Sequence, residues 1–198
     1  DVAVEDSSFT TGRRGVAATV IVEKIVGSLA ESGGSLEECK KLGDKVNKNS
    51  GSMGVAFSSC TVPAAGKPTF DLGADEMEFG VGIHGEPGRR RDKVKPAQEI
   101  TNELLEAIIE DLKPENNEEI LLFVNGMGGT PLTELYLVFD NAKKMLDGKN
   151  IKIARSLVGN YCTSLEMQGA SITLTKLDQE LVKHWDSAVH TAAMRWGM

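Results

Sequence analysis

The spacing of apolar residues along the chain alternates between a period typical of helices and one typical of strands. Over residues 12–30, apolar side chains recur at the spacing of one buried helix face. Ser35 and Glu38 have the form of a capping box, and Thr130 and Pro131 suit the N-cap and first position of another helix. The predicted helices cover residues 12–30, 35–47, 96–112, 130–146 and 179–184.

Strand patterns lie between these helices. Residues 119–124 (EILLFV) form an unbroken apolar run, which is typical of a strand covered on both faces. Residues 77–83 alternate between apolar and other side chains, which indicates a strand with one buried face. The predicted strands cover residues 53–60, 77–83, 119–124, 151–158 and 170–177. Strands that alternate with helices predict a layered α/β domain.

Composition narrows the class of protein. The 198 residues are 40% hydrophobic and 26% charged, which is ordinary for a globular protein with one core. The formal net charge of −7 argues against nucleic acid as a partner, because its binders usually present a basic face. No apolar stretch reaches membrane-spanning length and the N-terminus lacks a signal-peptide pattern, so we expect a cytoplasmic protein. Cys39, Cys60 and Cys162 lack the spacing of a disulfide framework or a zinc site, and we expect reduced thiols.

The chemically most informative feature is a histidine set among glycines, in FGVGIHGEPG. The predicted strand stops at His84, where Gly85 and the following Pro-Gly pair force a turn. Because Gly82 and Gly85 have no Cβ, a substrate is able to approach the backbone and the imidazole closely. Glu86 either accepts the Nδ1–H of His84 and fixes its tautomer or is a solvated turn carboxylate. We predict a functional site at His84, although a lone histidine is more often structural.

Three other features admit both a functional and a structural interpretation. Residues 125–130 join a strand to a helix through glycines, but they lack the lysine of a phosphate loop, which favours a tight turn over an anion site. The basic run 89–91 is either a solvated face or a docking site for an acidic partner. Residues 13–14, both arginines, either support the site or lie on the surface. His184 and His190 belong to no metal-ligand pattern and are interpreted as structural.

Five separated segments of the chain resemble the dihydroxyacetone-binding subunit of dihydroxyacetone kinases. The likeness extends over nearly all 198 residues. The second domain of that family is a mixed sheet covered by helices, and the resemblance implies the same α/β fold here. The segments are GRRGVAATV at 12–20, CTVPAAGKP at 60–68, EMEFGVGIHGEPG at 76–88, NGMGGTPLTELY at 125–136 and GNYCTSLEMQGASITL at 159–174.

The resemblance implies a role for His84. In the family, Nε2 of the matching histidine adds to the ketone carbonyl of dihydroxyacetone and gives a covalent hemiaminal. A ring nitrogen that has added to a carbonyl has no proton left to lose toward an imine, so the adduct stays reversible. A carbonyl is required, and polyols such as glycerol are therefore not captured. We expect His84 to be catalytic, Glu86 to orient it, Gly82 and Gly85 to line the substrate, and no residue to bind a metal.

The resemblance also implies a domain division. It begins partway through the family, so residues 1–12 are expected to be an interdomain segment from a missing N-terminal domain, and residues 13–198 the C-terminal substrate-capture domain. The family keeps its acid–base residues and most contacts to the substrate hydroxyls in the first domain. Because catalysis needs those groups and a nucleotide in one pocket, we expect this chain alone to be inactive as a kinase.

Partners follow from the same resemblance. This chain is expected to bind no cofactor itself. ADP or ATP with Mg²⁺ is expected on a separate nucleotide-binding subunit. A phosphocarrier is expected to rephosphorylate that nucleotide with phosphoenolpyruvate through the phosphotransferase system. The capture subunit itself is expected to form a homodimer. One alternative is a catalytically inactive paralogue that keeps the histidine and acts as a transcriptional coactivator. A weaker alternative is a fused ATP-dependent kinase truncated at both ends.

Overall fold

In a computed structural model, which describes residues 1–5, 12–84, 86 and 88–197, the chain forms a layered α/β domain around one mixed sheet. The described part of the sheet has six strands in the order β3-β2-β1-β6-β4-β5. Only the β4–β5 pair is parallel among these strands, and the other neighbours are antiparallel. The strands are β1 (Ser50–Ala56), β2 (Glu76–Phe79), β3 (Arg90–Lys93), β4 (Glu119–Gly126), β5 (Lys152–Gly159) and β6 (Gly169–Lys176). The α/β fold expected from the sequence is thereby confirmed.

Helices cover both faces of this sheet. The helices are α1 (Ala18–Glu31), α2 (Leu36–Lys48), α3 (Ala97–Leu112), α4 (Leu132–Gly148) and α5 (Gln179–Asp186), and a short hairpin of β7 (Val189–His190) and β8 (Arg195–Trp196) follows α5. Ile120, Leu122 and Val124 of β4 pack in one cluster with α3 and α4, whereas Leu121 and Phe123 pack in the other with α1, α2 and α5. The apolar run of β4 is therefore buried on both faces, as its composition predicts.

The strand that leads to His84 is shorter than its alternating pattern predicts. β2 ends at Phe79, because Gly80 has a φ of +76° and turns the chain out of the strand. The Gly80 N–H donates to the Gly54 carbonyl at 2.6 Å, which fixes the turn against β1. The prediction of a strand ending at His84 is wrong. His84 instead lies within the connection between β2 and β3, residues 80–89, which closes where the Arg89 N–H donates to the Phe79 carbonyl.

Two helix starts also differ from the prediction. α1 begins at Ala18 rather than at Gly12, after Val16 with a φ of +42°. The N-cap of α4 is Pro131, and the hydroxyl of Thr130 is bonded instead to the backbone of Gly169. The capping box of α2 is present as predicted. The other predicted helix and strand bounds differ from the observed ones by a few residues, the largest shift being that β1 ends at Ala56 rather than Cys60.

Candidate functional site

His84 and Glu86 form a compact hydrogen-bonded pair in the β2–β3 connection. Nδ1 of His84 lies 3.1 Å from Oε1 of Glu86, and the backbone N–H of His84 donates to Oε2 at 2.9 Å. The His84 side chain is 80% exposed, whereas that of Glu86 is only 16% exposed. Glu86 is therefore not a solvated turn carboxylate. Its contact with Nδ1 leaves Nε2 as the ring nitrogen available to a second molecule.

The carboxyl group of Glu86 is held in its ionised form. Burial raises the pKa of this group, but hydrogen bonds from its own backbone N–H and from the ring and backbone of His84 outweigh that effect, and the net pKa lies below its ordinary value. A carboxylate accepts hydrogen bonds and donates none. In a neutral His84 ring, an ionised Glu86 favours the tautomer that has its proton on Nδ1 and its lone pair on Nε2.

Gly82 makes room for the Glu86 carboxylate. A Cβ on Gly82 would lie 2.1 Å from Glu86 Oε2 and 2.9 Å from a terminal nitrogen of Arg14. The Gly82 N–H donates to the Glu86 carbonyl at 3.2 Å, which closes the turn. The space above this glycine is thus filled by the protein's own side chains. Substrate contact by Gly82 stays a prediction, and Gly85 lies outside the residues that the structure describes.

Arg14 lies beneath this pair and is the site residue that sequence reasoning left undecided. Its side chain is 8% exposed and pairs with the carboxylate of Asp1 at 2.6 Å. Its guanidinium also donates to the Gly80 carbonyl at 2.6 Å. Arg13, in contrast, pairs with Asp111 on the surface at 2.6 Å. Of the two alternatives that the sequence leaves open, Arg14 therefore lies at the site and Arg13 lies on the surface.

The glycine loop between β4 and α4 is a packed turn. A Cβ on Gly128 would lie 1.9 Å from the Leu165 carbonyl oxygen, and one on Gly129 would lie 2.3 Å from the Glu166 carbonyl oxygen. Gly128 also has a φ of +120°. These close backbone contacts are enough to explain why glycine is required at both positions, and no bound anion is needed for that explanation. The tight-turn interpretation of this loop is the one that the geometry favours.

The basic run is bound to neighbouring carboxylates and carbonyls. Arg90 pairs with Glu103, and Arg91 pairs with the buried Glu78 at 3.2 Å. Arg89 donates to the carbonyls of residues 2 and 3. The run therefore joins the N-terminal residues, β2 and α3, which a simple solvated face would not do.

The other histidines and the cysteines have structural surroundings. His184 is 5% exposed and its Nδ1 lies 3.0 Å from the Ser28 hydroxyl, while His190 is exposed in β7. The three cysteines are free thiols. Within the described ranges, no group of three or more His, Cys, Asp or Glu side chains is arranged to hold a metal ion. Nor does that part of the chain contain a helix long and apolar enough to cross a membrane.

Comparison with known proteins gives the family. The model of the Dak1 domain matches residues 1–193. The chain is 50% identical over 180 residues to the PTS-dependent dihydroxyacetone kinase 1, dihydroxyacetone-binding subunit DhaK, of Listeria innocua, covering 91% of this chain and 55% of that protein. It is 43% identical over 221 aligned positions to the PEP-dependent dihydroxyacetone kinase, dihydroxyacetone-binding subunit DhaK, of Escherichia coli, covering 100% of this chain and 62% of that protein.

A solved structure gives the same result. The dihydroxyacetone kinase operon co-activator Dha-DhaQ superposes with a TM-score of 0.86 at 32% identity, over 95% of this chain and 58% of that one. The chain thus spans little more than half the length of each of these three proteins. The expected resemblance is confirmed by this combination of family model, sequence identity and fold, and the chain belongs to the Dak1 domain family.

Proposed function

We propose that this chain captures dihydroxyacetone covalently through His84 and presents it for phosphorylation. The observation that carries this proposal is the His84–Glu86 pair, in which Glu86 holds Nδ1 at 3.1 Å while the ring is 80% exposed. An imidazole fixed in this way directs the lone pair of Nε2 outward, as nucleophilic addition requires. The printed names of the relatives, which are dihydroxyacetone-binding subunits, support this choice of ketone.

The reaction is an addition without a leaving group. Nε2 of His84 forms a bond to the carbonyl carbon, and the carbonyl π electrons move to oxygen as an alkoxide. The alkoxide gains one proton from solvent, and the cationic ring loses one from Nδ1, for which Glu86 is the adjacent acceptor. The product is a neutral hemiaminal that contains every atom of the ketone. It forms and breaks reversibly because the ring nitrogen has no proton to lose toward an imine.

We assign the phosphoryl-transfer machinery to a partner. The Listeria innocua relative is named PTS-dependent and the Escherichia coli relative PEP-dependent, which supports a nucleotide-carrying kinase subunit, with ADP or ATP and Mg²⁺, served by a phosphocarrier. A capture subunit with its reactive ring exposed suits such an arrangement, since the partner must reach the bound ketone. We place this system in the cytoplasm and expect the capture subunit to be a homodimer, as light scattering at micromolar concentration would show.

A second candidate function is that of a coactivator without catalysis. It is favoured by one observation, the TM-score of 0.86 to a protein named as an operon co-activator. Both functions retain ketone capture, so His84 does not distinguish them. Formation of dihydroxyacetone phosphate by a longer subunit carrying this sequence, with its kinase subunit and phosphocarrier, distinguishes the two; we expect none from the 198-residue chain alone.

Capture is tested by native mass spectrometry with dihydroxyacetone. We expect the mass of the whole ketone to be added, without loss of water, and the adduct to disappear in His84→Ala. The matched control is His190→Ala, which removes another exposed imidazole and should keep the adduct. An equal amount of adduct on His84→Ala would contradict capture of the ketone by His84. Glycerol should give no adduct with any variant, because it offers no carbonyl.

A further inference from the structure

A buried cation lies directly below the exposed His84–Glu86 pair. One terminal nitrogen of Arg14, Nη2, lies 2.6 Å from the Asp1 carboxylate and donates to the Gly80 carbonyl at 2.6 Å. Gly80 is itself fixed, because its N–H donates to the Gly54 carbonyl of β1. The guanidinium is thereby tied to β1 through Gly80, the first residue of the connection that carries His84, and to the N-terminal residue Asp1.

The Arg14 guanidinium and the Glu86 carboxylate both lie next to Gly82. Both the Arg14 terminal nitrogen and Glu86 Oε2 lie within 3 Å of the position that a Cβ on Gly82 would occupy. Opposite charges at such short range favour both ionised forms when they are shielded from water. Burial lowers the pKa of the Arg14 guanidinium, and the charge of Glu86 acts in the opposite direction. The pair therefore couples a rigid part of the fold to the carboxylate that holds His84.

The backbone next to Arg14 indicates that its position is tightly constrained. Val16 has a φ of +42°, a conformation that a β-branched residue adopts only under strain of about 1–3 kcal/mol. Such strain persists only where the surroundings determine the conformation. Here Val16 is 7% exposed and packs with Ala17 and Ile21 at the start of α1. The strained turn joins this packed helix to an arginine that points under the site.

We propose that Arg14 is a positioning residue for His84 that acts through Glu86. Its cation holds the Glu86 carboxylate in place over Gly82, and the carboxylate in turn holds the proton of His84 on Nδ1. Nε2 is then left with the lone pair that attacks a ketone. The catalytic consequence rests on the proposed function, but the control of the tautomer does not.

The tautomer of His84 is measured by ¹⁵N NMR of the imidazole nitrogens in the 198-residue chain at mildly alkaline pH. The chain has only three histidines, and His84→Gln assigns the signal. In the wild-type chain we expect Nδ1 to be protonated. In Arg14→Gln we expect the Nδ1-protonated population to fall and the Nε2-protonated one to rise. Arg14→Lys, which keeps the charge, should restore most of the wild-type pattern.

The matched control is Arg13→Gln, which removes an equal charge one residue away from a surface pair with Asp111. It should leave the His84 signals unchanged. Should Arg14→Gln fail to fold, Gly82→Ala decides the question, because its Cβ would lie 2.1 Å from Glu86 Oε2 and 2.9 Å from the Arg14 terminal nitrogen and would separate the two groups. That variant should also lose the Nδ1-protonated form.

Capture of dihydroxyacetone by the same variants separates this proposal from the proposed function. Arg14→Gln should slow adduct formation about tenfold, as loss of a group that orients a histidine typically does. Protonated Nδ1 in the wild-type chain combined with no adduct on a longer subunit that carries this sequence would overturn the proposed function and leave the role of Arg14 standing. A wild-type adduct combined with an unchanged tautomer in Arg14→Gln, or in Gly82→Ala where Arg14→Gln does not fold, would overturn the role of Arg14.

Discussion

Asn125 and Cys162 are joined by two hydrogen bonds that imitate the pairing of adjacent strands. Asn125 Oδ1 accepts from the Cys162 N–H at 2.9 Å, and Nδ2 donates to the Cys162 carbonyl at 2.8 Å. The same Oδ1 accepts from the Tyr161 N–H at 3.0 Å. Because Asn125 is 0% exposed, no water replaces these partners. One side chain at the end of β4 thus fixes the start of the β5–β6 connection.

Replacing Asn125 should therefore cost much of the stability of the domain. We expect Asn125→Ala to lower the free energy of unfolding by about 3 kcal/mol, because buried backbone groups lose their partners. The measurement is urea denaturation followed by circular dichroism. Asn160→Ala is the matched control, since the exposed Asn160 accepts a single hydrogen bond of 3.2 Å from Gly128. Its cost should stay below about 1 kcal/mol; equal losses in the two variants would contradict this account.

The glycine loop gives a second prediction. Gly128→Ala should lower the free energy of unfolding by more than about 2 kcal/mol, because its Cβ meets a backbone oxygen at 1.9 Å and its φ of +120° is unfavourable for alanine. Gly148→Ala is the control, as its Cβ meets nothing within 4 Å in α4 and its φ is not in the left-handed region. That variant should be neutral or stabilising by about 0.5–1 kcal/mol. A wild-type melting temperature for Gly128→Ala would show that the turn is not tightly packed.

The third prediction concerns Glu86 and ketone capture. Glu86→Ala should slow adduct formation about tenfold at constant fold, because His84 loses the acceptor that holds Nδ1. Glu118→Ala serves as the control, because the Glu118 carboxylate also accepts a hydrogen bond from a backbone N–H, that of Glu115 at 2.7 Å. Glu118 directly precedes β4 and is not part of the β2–β3 connection. Time-resolved native mass spectrometry gives the rates. Equal rates in the wild type and Glu86→Ala would mean that the carboxylate does not orient the ring.

Stability should also depend on pH through His184. Burial and the nearby charge of Lys183 lower the pKa of this histidine from its ordinary value of 6.5. The unfolded chain consequently binds the proton at a higher pH than the folded chain does, so acidification below pH 6.5 favours unfolding. Stability from this source is present above that pH and is lost as the pH falls toward the folded pKa.

Thermal denaturation between pH about 8 and 5 checks this prediction. His184→Asn keeps a donor for the Ser28 hydroxyl but does not titrate, and its melting temperature should fall less on acidification than that of the wild type. His190→Asn, at an exposed position, should keep the wild-type slope. The same decrease of melting temperature with falling pH in all three proteins would show that protonation of His184 does not contribute to the pH dependence of stability.

The sequence predicts the elements of the fold well because each has a local signal. The capping box of Ser35 and Glu38 and the apolar run of β4 both depend on residues close in the chain, and both are found where predicted. The error at β2 has a local cause as well. An alternating pattern continues to Ile83, but the positive φ of Gly80 ends the strand, and the later apolar residues pack in other clusters.

The candidate site was only partly predictable, for the opposite reason. His84 and Glu86 are two residues apart, so their contact follows from a turn. The position of Arg14 depends on Asp1 and on the carbonyl of Gly80, 66 residues away along the chain. No periodicity or motif in the sequence predicts the contact between Arg14 and Gly80, because this contact forms only after β2 has paired with β1. Two adjacent arginines give no signal in the sequence of which one is buried.

The charged edge strands have a consequence for the behaviour of the chain at high concentration. β3 carries Arg90, Arg91 and Lys93 along one outer edge of the sheet, and β5 carries Lys152 and Arg155 along the other. A second copy that paired along either edge through the same strand would bring these basic side chains close to their own counterparts, and like charges disfavour such pairing. The sheet is therefore protected against edge-to-edge aggregation by the same basic residues that connect it to its neighbours.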